Sequence, residues 1–116
     1  MVDLAEFFKA LSDETRLRIM ALLFQKEMCV CEICDVIGQS QPKISRHLAK
    51  LRDADLVRDE RQGQWVFYYL NIDDKTASEI MSAIIRSIEK HPILSEDMKK
   101  LNEKVKQCKL CEREGK

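Results

Sequence analysis

Three cysteines fall within six consecutive residues, in the segment Cys-Val-Cys-Glu-Ile-Cys that contains Cys29, Cys31 and Cys34. Thiolate sulfur is a soft ligand that prefers thiophilic ions over calcium, magnesium or manganese. No histidine or carboxylate of matching spacing accompanies the cysteines. Three-coordinate, pyramidal As(III) or Sb(III) therefore suits the ligand number better than zinc, which usually takes four ligands. Because a single buried cysteine is often only a small hydrophobe but three together are not, the segment predicts a three-thiolate site.

The backbone around Cys29 decides whether the three sulfurs can meet. In a regular helix Cys31 and Cys34 share a face, whereas Cys29 points nearly opposite to Cys31. Convergence requires a helix that begins near Val30 and leaves Cys29 on the preceding turn, or a first turn that unwinds on binding. A helix N-terminus favours the thiolate form, so we expect lowered thiol pKa values at this position.

A second cysteine pair, Cys108 and Cys111, lies near the C-terminus. Cys108 continues an apolar stripe at helical spacing, and packing explains it as well as a metal role does. The pair could instead supply a fourth ligand, a second thiol site or a redox pair. It could also form a four-thiolate zinc site with Cys31 and Cys34, which would leave Cys29 unexplained. The odd count and the crowding of three cysteines indicate thiols in a reducing cytoplasm rather than disulfides.

A basic segment stands out because the formal net charge of the whole chain is zero. Residues 36–52 contain no Asp or Glu, so a local surface rather than bulk charge would have to bind nucleic acid. The alternative is an ordinary solvated helix face. We assign phosphate or groove contacts to Lys43, Arg46, Lys50 and Arg61, and base readout to Gln41, Ser45 and His47, with Ser40 and Gln62 in the same surface.

Apolar residues at helical spacing predict four helices in the first half of the chain, at residues 4–11, 14–24, 30–37 and from Gln41 onwards. Residues 25–28 are expected to form a loop. Gly38 ends the third helix, and Ser40 and Pro42 begin the fourth. The short third helix, the glycine-containing turn and the polar fourth helix are typical of a helix-turn-helix.

The second half of the chain begins with two β-prone runs, residues 56–59 and 64–70, which flank Gly63 and predict a hairpin. A long helix follows at residues 75–91, closed by Pro92, and its broad aliphatic face suits a dimer interface. Further apolar residues at helical spacing predict a last amphipathic helix before a charged tail.

This order predicts a mainly α protein with a small β-hairpin, a winged helix-turn-helix of the order α-α-α-α-β-β-α with a C-terminal helical extension. We divide the chain into a DNA-binding and dimerisation domain at residues 1–95 and an amphipathic extension with a charged tail at residues 96–116. No apolar stretch approaches the ~20 residues of a membrane helix, so no membrane partner is expected. A thiol-disulfide enzyme is disfavoured because the βαβ pattern is missing, and no enzyme activity is expected.

Four segments together resemble the ArsR/SmtB family of metal-responsive repressors, namely residues 10–19 (ALSDETRLRI), 29–34 (CVCEIC), 41–48 (QPKISRHL) and 62–69 (QGQWVFYY). The cysteine run is similar to the arsenite site of the arsenic-responsive members. The resemblance implies a homodimer, joined through the first and fifth helices, that represses an arsenic-resistance operon. It also implies that As(III) or Sb(III) at the three cysteines lowers the affinity for double-stranded operator DNA.

The chain departs from the family pattern at two places. Asp55 stands where glycine is common at the end of the fourth helix, although Asp tolerates a left-handed conformation. Glu60 precedes Arg61 where paired arginines are common, so the phosphate contact of the wing is expected to be weaker. Residues 75–91 lack the acidic and histidine pairing of the zinc sensors. The remaining alternatives are a Cd(II) or Pb(II) sensor that recruits the C-terminal cysteine pair, and a zinc-stapled interaction module.

Overall fold

The computed structural model describes residues 3–107, and the side chains of residues 3–103. Its helices and strands, in chain order, are α1 Leu4–Leu11, α2 Glu14–Gln25, β1 Met28–Cys29, α3 Val30–Ile37, α4 Gln41–Asp53, β2 Val57–Gln62, β3 Trp65–Leu70, α5 Lys75–Arg86 and α6 Pro92–Gln107, with a 3-10 turn at Ile88–Lys90 between the last two. None of the described helices is long and apolar enough to cross a membrane.

Aspartate side chains cap the N-termini of the first two helices. The carboxylate of Asp3 accepts from the backbone N–H of Ala5 at 2.9 Å, and the carboxylate of Asp13 accepts from that of Arg16 at 3.0 Å. Each bond satisfies an N–H that has no partner inside the helix. Gly38 ends α3 with φ +80°, which confirms the predicted stop signal.

The sheet contains one strand more than the predicted hairpin. The strands are ordered β1-β3-β2 and all pairs are antiparallel. Residues 25–28 were expected to form a loop, and this expectation is wrong at Met28, which pairs with Tyr68. A strand of two residues is too short to show an alternating pattern in the sequence. The strand β3 with which it pairs is also distant in the sequence, so no local signal predicts the pairing. Strand β2 also extends to Gln62, beyond its predicted end.

The predicted long helix at residues 75–91 is interrupted. Helix α5 ends at Arg86, and the 3-10 turn leads to Pro92, which is the first residue of α6. Proline suits that position because its missing N–H would have no helical partner there. The predicted division between residues 95 and 96 therefore falls inside α6. This helix packs on α2, with Leu94 and Leu101 buried.

The core lies between the helices and one side of the sheet, and it includes Leu101 of α6. Twelve large side chains are fully buried. They are Phe7, Ile19, Met20, Leu22, Met28, Ile33, Ile44, Leu48, Leu51, Leu56, Phe67 and Met81. Ile33 of α3 and Ile44 and Leu48 of α4 belong to this core, so the third and fourth helices are held as one unit. The predicted winged helix-turn-helix, with β2 and β3 as its wing, is confirmed.

Candidate metalloid site and nucleic-acid interface

Cys29 is the junction between β1 and α3. It is the last residue of β1, where it pairs with Phe67, and it is also the N-cap of α3 in an extended conformation. Its backbone N–H donates to the Glu32 carboxylate at 2.9 Å, and Glu32 is only 3% exposed. The helix thus begins at Val30, as convergence of the sulfurs requires.

The structure brings two of the three cysteine sulfurs together. The Sγ atoms of Cys29 and Cys31 lie 3.0 Å apart. Cys31 and Cys34 carry free thiols, which confirms the prediction for these two, but Cys29 is disulfide-bonded, so the prediction of a thiol there is wrong for this structure. Between residues 3 and 107, no three His, Cys, Asp or Glu side chains form a preassembled metal-binding group.

The expected lowering of the thiol pKa values is also wrong. Partial burial, and after it the negative charge of Glu32, raise the pKa of the Cys31 thiol above its usual value of 9.0, although the residue as a whole is exposed. Burial, and then the neighbouring Cys31, raise the pKa of Cys34. The effect of the helix N-terminus is outweighed because burial disfavours the charged thiolate of both residues, and at Cys31 the Glu32 carboxylate repels it as well.

A cleft of about 490 Å³ opens beside the sulfurs of Cys29 and Cys31. It lies between the start of α3, the first turns of α4 and the wing strand β3. The residues that line it are Cys29, Val30, Cys31, Gln41, Ser45, Asp59, Trp65, Val66 and Tyr68. The cysteine segment and the start of α4 therefore line one cavity. Gln41 and Ser45, which belong to this lining, were predicted to read bases.

Most of the side chains predicted to contact DNA, on α4 and the wing, are accessible to solvent. Gln41, Lys43, Arg46 and Lys50 of α4 are exposed, as are Ser40 and Arg61, while Ser45 and Gln62 are half-buried. Arg52 is also exposed, but it donates to the Asp59 carboxylate at 2.9 Å. That ion pair joins α4 to β2 and neutralises the Arg52 charge.

His47 differs from the other predicted contact residues. Its side chain is 16% exposed, and its Nδ1 lies 4.0 Å from a carboxylate oxygen of Asp13, the N-cap of α2. Burial, together with the cations Arg16 and Arg46, lowers the pKa of His47 against the opposing effect of Asp13. This geometry turns the imidazole towards α2, so base readout by His47 stays a prediction that the fold does not favour.

Comparison with known proteins extends these findings. Residues 13–59 match the family described as bacterial regulatory protein, arsR family. The arsenical resistance operon repressor of Bacillus subtilis (strain 168) is 40% identical over 82 residues, which cover 68% of this chain and 78% of the repressor. The chain belongs to the arsR family. The arsenical resistance operon repressor of Escherichia coli (strain K12) is 55% identical over 67 residues, or 57% of each chain. This chain therefore spans little more than half the length of that relative.

Among solved structures, HlyU from Vibrio cholerae N16961 is similar to this arsR-family chain with a TM-score of 0.65 and 32% identity. The similarity covers 71% of this chain and 87% of HlyU. This similarity agrees with the fold described above. Asp55, where the family pattern commonly has glycine, adopts φ +68°, so the left-handed turn is kept without glycine.

Three features of this arsR-family protein escaped the sequence interpretation. Trp65 and Tyr68 line the cysteine cleft, Glu32 caps α3 beside the sulfurs, and Arg18 forms a buried ion pair with Asp97. The spacing from Cys29 to Glu32 is that of a capping box and could have indicated the second feature. The other two join segments that are distant in sequence, and no local signal announces them.

Proposed function

We propose that this protein is a dimeric repressor that binds operator DNA through α4 and the β2–β3 wing, and that leaves the operator when arsenite or antimonite is bound by Cys29, Cys31 and Cys34. The observation that carries the proposal is the 3.0 Å separation of the Cys29 and Cys31 sulfurs at the start of α3. The helix that follows α3 after a short turn carries the predicted DNA contacts.

The cysteine segment fits a soft trivalent ion by its donor atoms. Sulfur bonds to thiophilic metals are about 2.3 Å long, so two sulfurs that share one ion lie within about 4.6 Å of each other. The Cys29 and Cys31 sulfurs satisfy this limit, and Cys34 lies one helical turn beyond Cys31. Cys29 can act as a thiolate only after its disulfide has been reduced, so the ligand-binding form is the reduced protein.

The surroundings of Cys29 explain how its movement would reach the DNA surface. Its backbone pairs with Phe67 in the central strand of the wing sheet, and its N–H is held by Glu32 of α3. Drawing Cys29 towards Cys34 strains both connections at once. Helix α3 packs on α4, and β3 forms half of the wing, so both DNA-contacting elements shift. A preference of a few kcal/mol for the released state is enough to empty the operator.

The DNA contact is proposed to be electrostatic in large part, through the exposed cations Lys43, Arg46, Lys50 and Arg61. If a dimer neutralises about six phosphates, its affinity should fall by roughly a thousandfold between low and moderate salt. An affinity that does not change with salt would refute this assignment.

The dimer is proposed to form through α1 and α5. Leu4 and Phe8 of α1 are 41% and 51% exposed. A cavity of about 430 Å³ is lined by Leu11 of the same helix, Leu17 of α2 and Ile84 of α5, among others. Burying these apolar side chains against a second copy would favour association. In sedimentation velocity, Phe8→Asp should dissociate the dimer. Lys9→Asp should not, because Lys9 is charged and contributes no apolar surface to the proposed interface.

The deciding experiment measures release of a fluorescent operator duplex, selected from a randomised pool, by phosphine-reduced protein. The panel contains arsenite, antimonite, Cd(II), Pb(II) and Zn(II). Arsenite and antimonite are expected to release the DNA from the wild type. Cys31→Ser should bind DNA normally but no longer respond, because one ligand is lost. Loss of DNA binding by Cys31→Ser without arsenite would contradict the scheme.

A sensor of Cd(II) or Pb(II) is the second candidate, because thiolate donors alone do not separate these ions from As(III). The pair Cys108 and Cys111, which lies outside the described residues, distinguishes the two functions. A double variant, Cys108→Ser with Cys111→Ser, should keep its full arsenite response if three cysteines suffice. Response to Cd(II) or Pb(II) alone, lost in the double variant, would favour the second candidate.

A further inference from the structure

Asp97 lies on the apolar face of α6, where a charged side chain is unexpected. The buried residues Leu94 and Leu101 lie about one helical turn before and after it, so the three side chains share one face of the helix. The side chain of Asp97 is only 1% exposed. A buried ion pair adds little net stability over apolar side chains of similar volume, because removing its charges from water is costly. Holding α6 on α2 therefore does not explain why this position carries aspartate.

The guanidinium of Arg18 connects Asp97 to the end of α3. Its Nε donates to Oδ2 of Asp97 at 2.8 Å, and its Nη2 donates to Oδ1 at 2.8 Å. Nη2 carries a second hydrogen and also donates to the Ile37 carbonyl at 3.3 Å. Two parallel bonds to one carboxylate fix the plane of a guanidinium, whereas a single bond leaves it free to rotate. Asp97 thus sets the direction in which Arg18 donates to Ile37.

Ile37 is the last residue of α3, and the turn to the recognition helix α4 follows it directly. The last carbonyl groups of a helix have no partner within that helix, so the bond from Arg18 supplies one to Ile37. On the other side of Gly38, the Gln39 amide donates to the hydroxyl of Thr15 at 3.2 Å. Both sides of the turn are therefore held by side chains of α2, and one of these is oriented by α6.

These polar bonds add a direction that the rest of the turn does not supply. Ser40, which precedes α4, makes no side-chain capping bond within the described part of the chain. Apolar packing of Ile33 and Ile44 holds α3 and α4 together, but the hydrophobic effect is non-directional. A hydrogen bond weakens steeply when its angle departs from linearity. The bond to the Ile37 carbonyl therefore favours one orientation of the turn over its neighbours.

We propose that Asp97 is a positioning residue for operator recognition: through Arg18 it fixes the end of α3, and thereby the direction in which α4 enters the major groove. The proposal rests on the function proposed above, because it assumes that α4 reads the operator. It gives a role in DNA binding to α6, most of which the sequence assigned to a separate C-terminal extension.

The two kinds of DNA contact should respond differently when this positioning is lost. Side chains that read base edges must be held within about 0.5 Å of their productive geometry. Contacts of lysine and arginine with phosphates carry no sequence information, and they supply nearly all of the non-specific affinity. The exposed cations of α4 are present whether or not Asp97 is. A displaced turn should therefore weaken operator binding far more than binding to unrelated DNA.

The test compares the affinities for the selected operator duplex and for an unrelated duplex of equal length. Both are measured by fluorescence anisotropy with the phosphine-reduced full chain at one salt concentration. Partial unfolding lowers both affinities by the same factor, so their ratio reports positioning rather than stability. In Asp97→Ala the ratio should fall by about tenfold or more, a loss that one mismatched base pair typically causes. Glu96→Ala, at the exposed neighbouring position, should keep the wild-type ratio.

The double variant Arg18→Met with Asp97→Leu separates positioning from stability. It leaves no buried charge unpaired, so the protein should remain folded, as circular dichroism would verify. The bond to the Ile37 carbonyl is nevertheless lost. We expect the affinity ratio of the double variant to stay as low as that of Asp97→Ala. If Asp97→Ala fails to fold, the double variant carries the test alone.

The outcomes distinguish this inference from the proposed function. A wild-type ratio in the folded double variant, or in Asp97→Ala, would show that the pair serves stability only and would overturn the inference. The proposed function would stand in that case, because the wild type would still prefer its operator. Equal affinity of the wild type for both duplexes would overturn the proposed function and the inference together.

Discussion

Replacing Asp97 with alanine should test the buried ion pair that fastens α6 to α2. Both carboxylate oxygens of Asp97 accept hydrogen bonds of 2.8 Å from the Arg18 guanidinium. The two side chains are only 10% and 1% exposed. Without the carboxylate, Arg18 keeps its charge and retains a bond of 3.3 Å to the Ile37 carbonyl. Removing one partner of a buried pair typically costs about 3–5 kcal/mol.

We place the expected loss in free energy of unfolding at about 3 kcal/mol, the lower end of that range. The side chain of Arg18 is 10% exposed and keeps its bond to the Ile37 carbonyl, so the charge left by Asp97 retains some polar contact. The loss corresponds to a fall of about 12 °C or more in Tm for a domain of this size. Because Ile37 is the last residue of α3, the helix-turn-helix should lose rigidity as well.

Urea denaturation followed by far-UV circular dichroism measures this loss. Glu96→Ala is the matched control, because Glu96 is the exposed neighbour on α6 and its replacement should change stability by less than about 0.5 kcal/mol. The double variant Arg18→Met with Asp97→Leu should recover most of the stability, since no charge is left unpaired. A loss below about 1 kcal/mol in Asp97→Ala would show that the pair is hydrated and would refute the reasoning.

Three further predictions concern single side chains. Partial burial and the Glu32 carboxylate raise the pKa of Cys31, so its alkylation by iodoacetamide should reach half of the limiting rate above pH 9.0. Peptide mass spectrometry reports the rate, and a midpoint well below pH 9.0 would contradict the raised pKa. Asp55→Gly should raise the free energy of unfolding by about 1 kcal/mol in urea, since φ at this position is +68°, whereas Asp55→Val should lower it. Burial lowers the pKa of His47 in the folded protein below 6.5. Near this pH the unfolded chain therefore binds more protons than the folded protein does. The free energy of unfolding should decrease as the pH falls from 6.5 through the folded-state pKa of His47. Urea midpoints measured against pH should show this loss in the wild type and a weaker one in His47→Gln.

Much of the fold could be predicted because its signals are local. The bounds of α1 and α3 agree with the predicted residues 4–11 and 30–37, since apolar spacing and terminal caps act within one or two turns of a helix. The hairpin was predicted for the same reason, around Gly63 with φ +65°. The end of the long helix was less accurate, because Pro92 is compatible both with closing one helix and with beginning the next.

The candidate site was predicted in part. Spacing identified the cysteines and the requirement that the helix begin at Val30. The pairing of Cys29 with Phe67 and the inward orientation of His47 depend on neighbours from other elements. Such neighbours are absent from any local window. The expectation of a lowered pKa for Cys31 failed for another reason: it used the helix terminus and omitted both the burial of the thiol and the adjacent carboxylate of Glu32.

Residue type and spacing alone therefore specified the soft-ligand segment, the basic helix and the order of the elements, because each depends on interactions within a few residues. Tertiary packing decided which sulfurs meet, how easily their protons leave, and that the cysteines share a cleft with α4 and β3. Those properties arise from distances and burial between segments brought together only when β1 pairs with β3 and α3 packs on α4.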